Sequence, residues 1–241
     1  MATRLENVVI ATHDQRLLAG FWSTLLGWQV VEYPGEVDVR APQSQGWLLD
    51  LVFDPVTEPK TGKNRVHLDL ASSSPADQAA IVRRAIDLGA SRIDIGQGDV
   101  PWVVLADPEG NEFCVLEPRE VYAPAGALAA VVVDAADADS LAPFWAEATG
   151  FRAVTRGPGI VGLQAPNGRG PWLEFLSGAP PKTTKNRVHL DIRPVQGGDL
   201  ETEVRELVEC GARRIDIGQN GVPWEVLADP EGNEFCVLAV K

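Results

Sequence analysis

The sequence predicts an α+β fold made of two tandem domains, each a pair of βαβββ units. Three observations lead there. The stretch VPWVVLADPEGNEFCVL (residues 100–116) recurs as VPWEVLADPEGNEFCVL (residues 222–238), with only Val103 against Glu225 differing. The match extends upstream without a gap, so that 63–116 aligns on 185–238 with about 34 of 54 positions identical. Within each copy the apolar pattern switches between period two and period 3.6 in the order β-α-β-β-β, twice over. Two copies of a unit this long indicate a duplicated domain rather than a solenoid. The expected boundaries are 1–118 for the first domain, 119–127 for a Pro-containing linker (within EPREVYAPAGA) and 128–241 for the second.

The elements follow in order. Residues 5–11 read as a strand. Asp14 caps a helix to about Leu26 that buries Phe21, Trp22, Leu25 and Leu26, with Gly27 as its stop. Residues 28–33, 37–41 and 47–53 read as three strands separated by Gly and Pro. Residues 65–71 form the next strand. Ser74-Pro75 then opens a helix that Gly89 ends. Residues 91–95 and the two arms of the 100–116 hairpin complete the set. In Asp107-Pro108-Glu109-Gly110-Asn111 the Pro presets φ and the Gly admits φ > 0, so these acids are expected at a surface turn. The second copy starts at Leu128, with Asp137 as helix cap and Gly211 as the end of its second helix.

Composition narrows the partners. Thirty-four acidic against 21 basic residues give a net charge of −13, which argues against nucleic acid or an anionic membrane. No apolar run approaches a span of roughly 18 residues, and MATRLENVVIATHD has no signal-peptide pattern. Cys114 and Cys236 are repeat equivalents in separate domains and are not expected to pair, which suits a cytoplasmic protein. A monomer or homodimer is expected.

The residues that carry a family likeness are Asp14, Phe21-Trp22 and Gly27, their counterparts Asp137, Phe144-Trp145 and Gly150, and DPEGN before each last strand. Together with the unit order they resemble the vicinal-oxygen-chelate superfamily, which includes glyoxalase I, bleomycin-resistance proteins and extradiol dioxygenases. The resemblance covers nearly the whole chain. It implies that paired units form an open barrel around a cavity, where some members hold a divalent metal. Carried over, the metal positions fall on Asn7, Asp50, His67 and Cys114, and on Ala130, Glu174, His189 and Cys236. The glyoxalase pattern wants His or Gln, Glu, His and Glu there. Asn is a poor transition-metal ligand, Ala is none, and Cys is soft. The candidate sets shrink to Asp50, His67 and Cys114, and to Glu174, His189 and Cys236, for Zn, Ni, Mn or Fe. One His per set excludes the two-His-one-carboxylate site of an extradiol dioxygenase.

Alternation places Arg65, His67 and Asp69 on one strand face and Val66, Leu68 and Leu70 on the other. Glu112 and Cys114 share a face on the last strand, away from Phe113 and Val115. The second copy repeats this with Arg187, His189, Asp191, Glu234 and Cys236. Each His is open to three roles: a structural ring satisfied by Asp69 or Asp191, a metal ligand, or a proton-transfer or ligand contact. Cys114 and Cys236 read as small cavity-lining hydrophobes. Trp102 and Trp224 read as core or as cavity wall. The expected function is binding of a small organic molecule, aromatic ones included, without a complete metal site and with Arg65, His67, Asp69, Trp102, Cys114, Arg187, His189, Asp191, Trp224 and Cys236 as ligand-facing residues. The alternative is a metal-dependent lyase or isomerase of glyoxalase type.

Overall fold

A computed structural model describes residues 3–43, 46–219 and 221–240. The first unit holds β1 (Thr3–Thr12), α1 (Gln15–Leu26), β2 (Gln29–Tyr33), β3 (Glu36–Arg40) and β4 (Asp50–Pro55). The second holds β5 (Val66–Leu70), α2 (Pro75–Asp87), β6 (Ser91–Arg92), β7 (Val103–Ala106) and β8 (Glu112–Val115). A 3-10 helix, Glu120–Ala125, forms the linker. The third unit holds β9 (Leu128–Ala135), α3 (Ala138–Thr149), β10 (Arg152–Gly157), β11 (Ile160–Gln164) and β12 (Trp172–Ser177). The fourth holds β13 (Val188–Pro194), α4 (Leu200–Glu209), β14 (Arg213–Arg214), β15 (Trp224–Ala228) and β16 (Glu234–Leu238). The cap reading holds at atomic level: the Asp14 and Ser74 side chains accept from the backbone N–H groups of Leu17 and Asp77. The strand expected over 91–95 stops at Arg92, because Gly96 and Gly98 adopt positive φ and turn the chain away.

The units pair across the duplication. One eight-stranded sheet runs β14-β15-β16-β13-β1-β4-β3-β2, joining unit four to unit one. The other runs β10-β11-β12-β9-β5-β8-β7-β6, joining unit three to unit two. We call them sheet A and sheet B. The seam is antiparallel in both: β1 pairs with β13, setting Val9 opposite His189, and β5 pairs with β9, setting His67 opposite Val132. Both sheets remain open, since each ends on unpaired edge strands.

One apolar core lies between the sheets. Val8 and Ile10 of β1, Val66, Leu68 and Leu70 of β5, Phe113 and Val115 of β8, and Val188, Leu190 and Ile192 of β13 all enter it. Because Cβ atoms alternate along a strand, the intervening residues of each strand look away from this core. This opposite side is the site face.

The two halves of each repeat are tied by the DPEGN turn. Asp107 is buried, where it accepts from the backbone N–H of Glu109 and Asn111, from the Asn111 amide and from Trp22 Nε1 of α1 at 3.3 Å. Asp229 repeats these bonds, with Trp145 Nε1 at 3.1 Å. The turn acids are therefore not surface residues. Asp side chains hold turns by accepting from backbone two residues on, and here the same carboxylate also anchors a buried indole. Glu109 accepts from Thr12 Oγ1 and from the backbone N–H of His13 and Asp14, and it pairs with Arg187 at 3.3 Å. Glu231 does the same for Ala136, Asp137 and Arg65. Asn64 and Asn186 donate to Asn111 and Asn233, so the repeated KNR motif clamps the repeated hairpin.

Asp229→Ala is expected to lower folding stability by about 3 kcal/mol, since it strips partners from buried donors. Glu209→Ala, on an exposed helix face, should stay within about 0.5 kcal/mol. Urea denaturation of the two variants checks the contrast.

Candidate functional site

The site face of sheet A keeps a cavity of about 430 Å³. Asn7 and Val9 of β1, Asp50 and Val52 of β4, Asp38 and Arg40 of β3, His189 and Asp191 of β13, Cys236 of β16 and Trp224 of β15 line it. The site face of sheet B is filled. Tyr122 and Ala125 of the linker pack onto Cys114, Ala130, Val132 and Trp172. The Tyr122 hydroxyl donates to Glu174 at 2.7 Å, and its ring meets Trp172 edge-on at 5.7 Å. Trp172 lies flat because Gly162 beneath it has no side chain; a Cβ there would come within 2.9 Å of the ring.

The placement of the expected residues follows from this cross-pairing. His67, Asp69, Cys114 and Glu174 share sheet B, whereas His189, Asp191, Cys236 and Asp50 share sheet A. The sets Asp50, His67, Cys114 and Glu174, His189, Cys236 are each split between sheets and do not form. Nor are Asp50 and Glu174 equivalent. Asp50 is in register with Asn7 and Val52 with Val9, while Trp172 is in register with Ala130 and Glu174 with Val132. The counterpart of Asp50 is thus Trp172, and that of Glu174 is Val52. Arg65 and Arg187 serve the turn acids Glu231 and Glu109 and do not line the cavity. Glu112 and Glu234 are held by Lys60 at 2.7 Å and Lys182 at 2.6 Å. Trp224 borders the open cavity, whereas Trp102 packs against the filled face. Sequence reasoning did not find Asp38, Arg40, Tyr33 or Tyr122 as site residues. The alternation of Glu36, Asp38 and Arg40 along a strand whose Val37 and Val39 enter the core was the signal available.

At the centre of sheet A, His189 Nε2 lies 3.5 Å from Asp191 Oδ1 and 3.7 Å from Cys236 Sγ. Asn7 Nδ2 donates to the other oxygen of Asp191 at 3.1 Å. Burial raises Asp191 to about 7 and lowers His189 to about 4, because a dry site penalises either charged form. Burial and the neighbouring Asp191 push the Cys236 thiol well up, so it stays protonated and is no nucleophile at neutral pH. Beside them Arg40 grips Asp50 with Nε at 2.9 Å and Nη2 at 2.6 Å, and Nη2 also donates to Tyr33 Oη at 3.2 Å. Sheet B repeats the central triad, with His67 Nε2 at 3.5 Å from Asp69 Oδ1, burial lowering His67 to about 4 and raising Asp69 to about 7.

The residues do not fit the metal set of the superfamily. At the first-strand position stand Asn7 and Ala130. Whichever neighbouring position is taken for the carboxylate, it offers Asp50 locked on Arg40 or Val52 in sheet A, and Trp172 or Glu174 bonded to Tyr122 in sheet B. A different donor group is close in each sheet: His189, Asp191 and Cys236, and His67, Asp69 and Cys114, with ligand atoms all within 4.8 Å of one another.

Two open sheets of paired βαβββ units, one with a polar cavity on its site face, define a vicinal-oxygen-chelate protein with tandem domains. The model of the Glyoxalase-like domain matches residues 7–116 and again 130–238, and the chain belongs to this family. Among solved structures, glyoxalase I from Zea mays is similar over 98% of this chain and 92% of that chain, with 14% identity and a TM-score of 0.68. A putative dioxygenase from Bacillus subtilis is similar over 98% and 84%, with 12% identity and a TM-score of 0.66. These likenesses concern the fold. No curated protein matched the sequence. No helix among the described residues is long and apolar enough to cross a membrane.

The opposed shifts of Asp191 and His189 give a pH test. A carboxyl raised in the folded state contributes stability that is present below pH 4 and lost as pH rises through about 7. A histidine lowered in the folded state loses stability as pH falls from 6.5 towards about 4. The two slopes oppose each other between those limits in the wild type. His189→Gln should therefore make stability fall from pH 4.5 to 6.5, and Asp191→Asn should make it rise, each relative to wild type. Urea midpoints across that range measure both signs.

Proposed function

We propose that the protein binds a small organic molecule in the sheet A cavity without needing a metal ion, and that sheet B serves as its closed structural counterpart. The observation that carries this reading is the asymmetry of the duplication. One site face is packed by Tyr122, while its counterpart is open and lined by convergent polar groups beside a tryptophan. A cavity of this size with a few placed polar groups is what a small-molecule site needs. Asn7, His189 and Asp191 orient the guest through hydrogen bonds, and Trp224 supplies an apolar wall.

The test is a library of aromatic fragments screened by ligand-observed NMR. Val52→Trp, which fills the cavity, should abolish the binding signals. His189→Ala should weaken binding at least tenfold, and His67→Ala, on the filled face, should leave it unchanged. Fragment binding that survives Val52→Trp would refute the assignment.

A second reading is favoured by the grouping of His189, Asp191 and Cys236 within 4.8 Å. One nitrogen, one oxygen and one sulfur form a donor set that zinc accepts, and a bound ion would supply Lewis acidity for a lyase or isomerase of glyoxalase type. Asn7 holds one oxygen of Asp191 and leaves the other turned toward His189. Addition of Co²⁺ distinguishes the readings. A thiolate-to-cobalt absorption band that disappears in Cys236→Ser would establish the metal site, and its absence from wild type would leave the metal-free reading.

A further inference from the structure

The linker that fills sheet B is an internal occupant, and its chemistry can be read across the duplication. Tyr122 contributes a ring, and Arg119 places its guanidinium carbon 5.8 Å from the Trp102 ring and 5.9 Å from the Tyr122 ring. A planar cation is thus set against the indole that borders this face, at a distance where ring quadrupoles attract positive charge. Trp224 is the repeat equivalent of Trp102, with the same bond from its indole N–H to a glutamine five residues upstream: Gln97 for Trp102 at 2.7 Å, Gln219 for Trp224 at 3.0 Å. No guanidinium from the described residues covers Trp224, which instead borders the cavity.

The rest of the wall has changed in charge at several positions, with Glu174 on the filled face answering to Val52 on the open one. Trp172 and Leu176 on the filled face correspond by register to Asp50 and Asp54 on the open one. Glu36, Asp38, Asp50 and Asp54 line the cavity against Arg40 and Arg193. Both of those cations are engaged, Arg40 by Asp50 and Arg193 by Glu6 at 2.8 Å. A site face with excess carboxylate in a restricted volume concentrates positive charge and repels anions.

We infer that the sheet A cavity takes an organic cation with a planar aryl or amidine group, seated against Trp224 where Arg119 and Tyr122 sit in the duplicate site. This rests on the reading of that cavity as the ligand site, and it adds the sign of the charge and the shape of the guest. The cation faces Trp224 within the acidic lining of the cavity.

Isothermal titration with three probes of one shape tests it: benzamidine (cationic), benzamide (neutral) and benzoate (anionic). Benzamidine should bind at least tenfold more tightly than benzamide, and benzoate should not bind detectably. Trp224→Ala should weaken benzamidine about tenfold. Trp224→Phe should retain most of the affinity, and Trp102→Ala all of it. The inference is overturned if benzamidine does not bind, if benzamide or benzoate binds as well, or if Trp224→Ala has no effect. Benzamide that binds as tightly and is lost in Val52→Trp would sink the charge assignment alone. Aromatic fragments whose binding ignores Val52→Trp would sink the cavity reading with it.

Discussion

A buried carboxylate inside a turn holds this structure together. Asp107 and Asp229 each close a five-residue turn through their own backbone and reach out to a buried indole on the helix of the neighbouring unit. Removing such a carboxylate from water is costly, and only a full set of donors offsets it. Pro and Gly in the turn supply the backbone shape, and Glu and Asn supply three of those donors. Trp22 or Trp145 supplies the fourth. Glu109 and Glu231 then fasten the strand-to-helix junction of one unit while pairing with an arginine of another. One pentapeptide thereby touches three units. Few substitutions satisfy so many partners at once, which accounts physically for two copies spelled alike in this chain while the helices beside them have diverged.

Much of the fold was legible because it follows from local rules. Alternation along β5 and β13 separated core from site face correctly, since that periodicity belongs to the strand itself. The caps at Asp14, Ser74 and Asp137 are equally local. The partner of each unit was not legible. Units one and two are adjacent in sequence and packed through Trp22 and Phe113, yet their strands join different sheets, and nothing in a strand's own pattern names the strand beside it. The grouping of candidate ligands failed for that reason: Asp50 and His67 lie in one repeat but in separate sheets. The mismatch of Asp50 with Glu174 is a two-residue displacement, which preserves the face and so leaves the alternation pattern silent. Tyr122 escaped notice because it sits in a Pro-containing linker, where no periodicity predicts burial.

The two copies differ around a shared centre, one site face being filled and the other open. In sheet B, small residues at Ala130 and Gly162 make room for Trp172, and Trp172 makes a wall for Tyr122. Sheet A has Asn7 and Asp50 at the positions of Ala130 and Trp172, and Asp38 where Gly162 would fall. Each polar residue there needs partners, and it finds them in other polar residues of the same face, as Arg40 does in Asp50 and Asp191 does in Asn7. Such a network leaves space between its members, whereas apolar groups pack it away. Both copies keep the His-Asp-Cys centre, so the difference between a filled and an open site lies in the ring of residues around that centre.

The pairing of first unit with fourth also fixes an order of events on the ribosome. Sheet B can close once β12 has emerged, because all its strands lie between residues 66 and 177. Sheet A cannot. β1 waits for β13, whose Asp191 meets an Asn7 that lies 184 residues earlier. At typical synthesis rates that wait is on the order of ten seconds. Throughout it, the apolar edge Val8-Val9-Ile10 has no antiparallel neighbour, and an unpaired apolar edge is a template for aggregation. β1 therefore stays without its antiparallel partner until β13 is made, and the sheet A cavity forms only after sheet B can close.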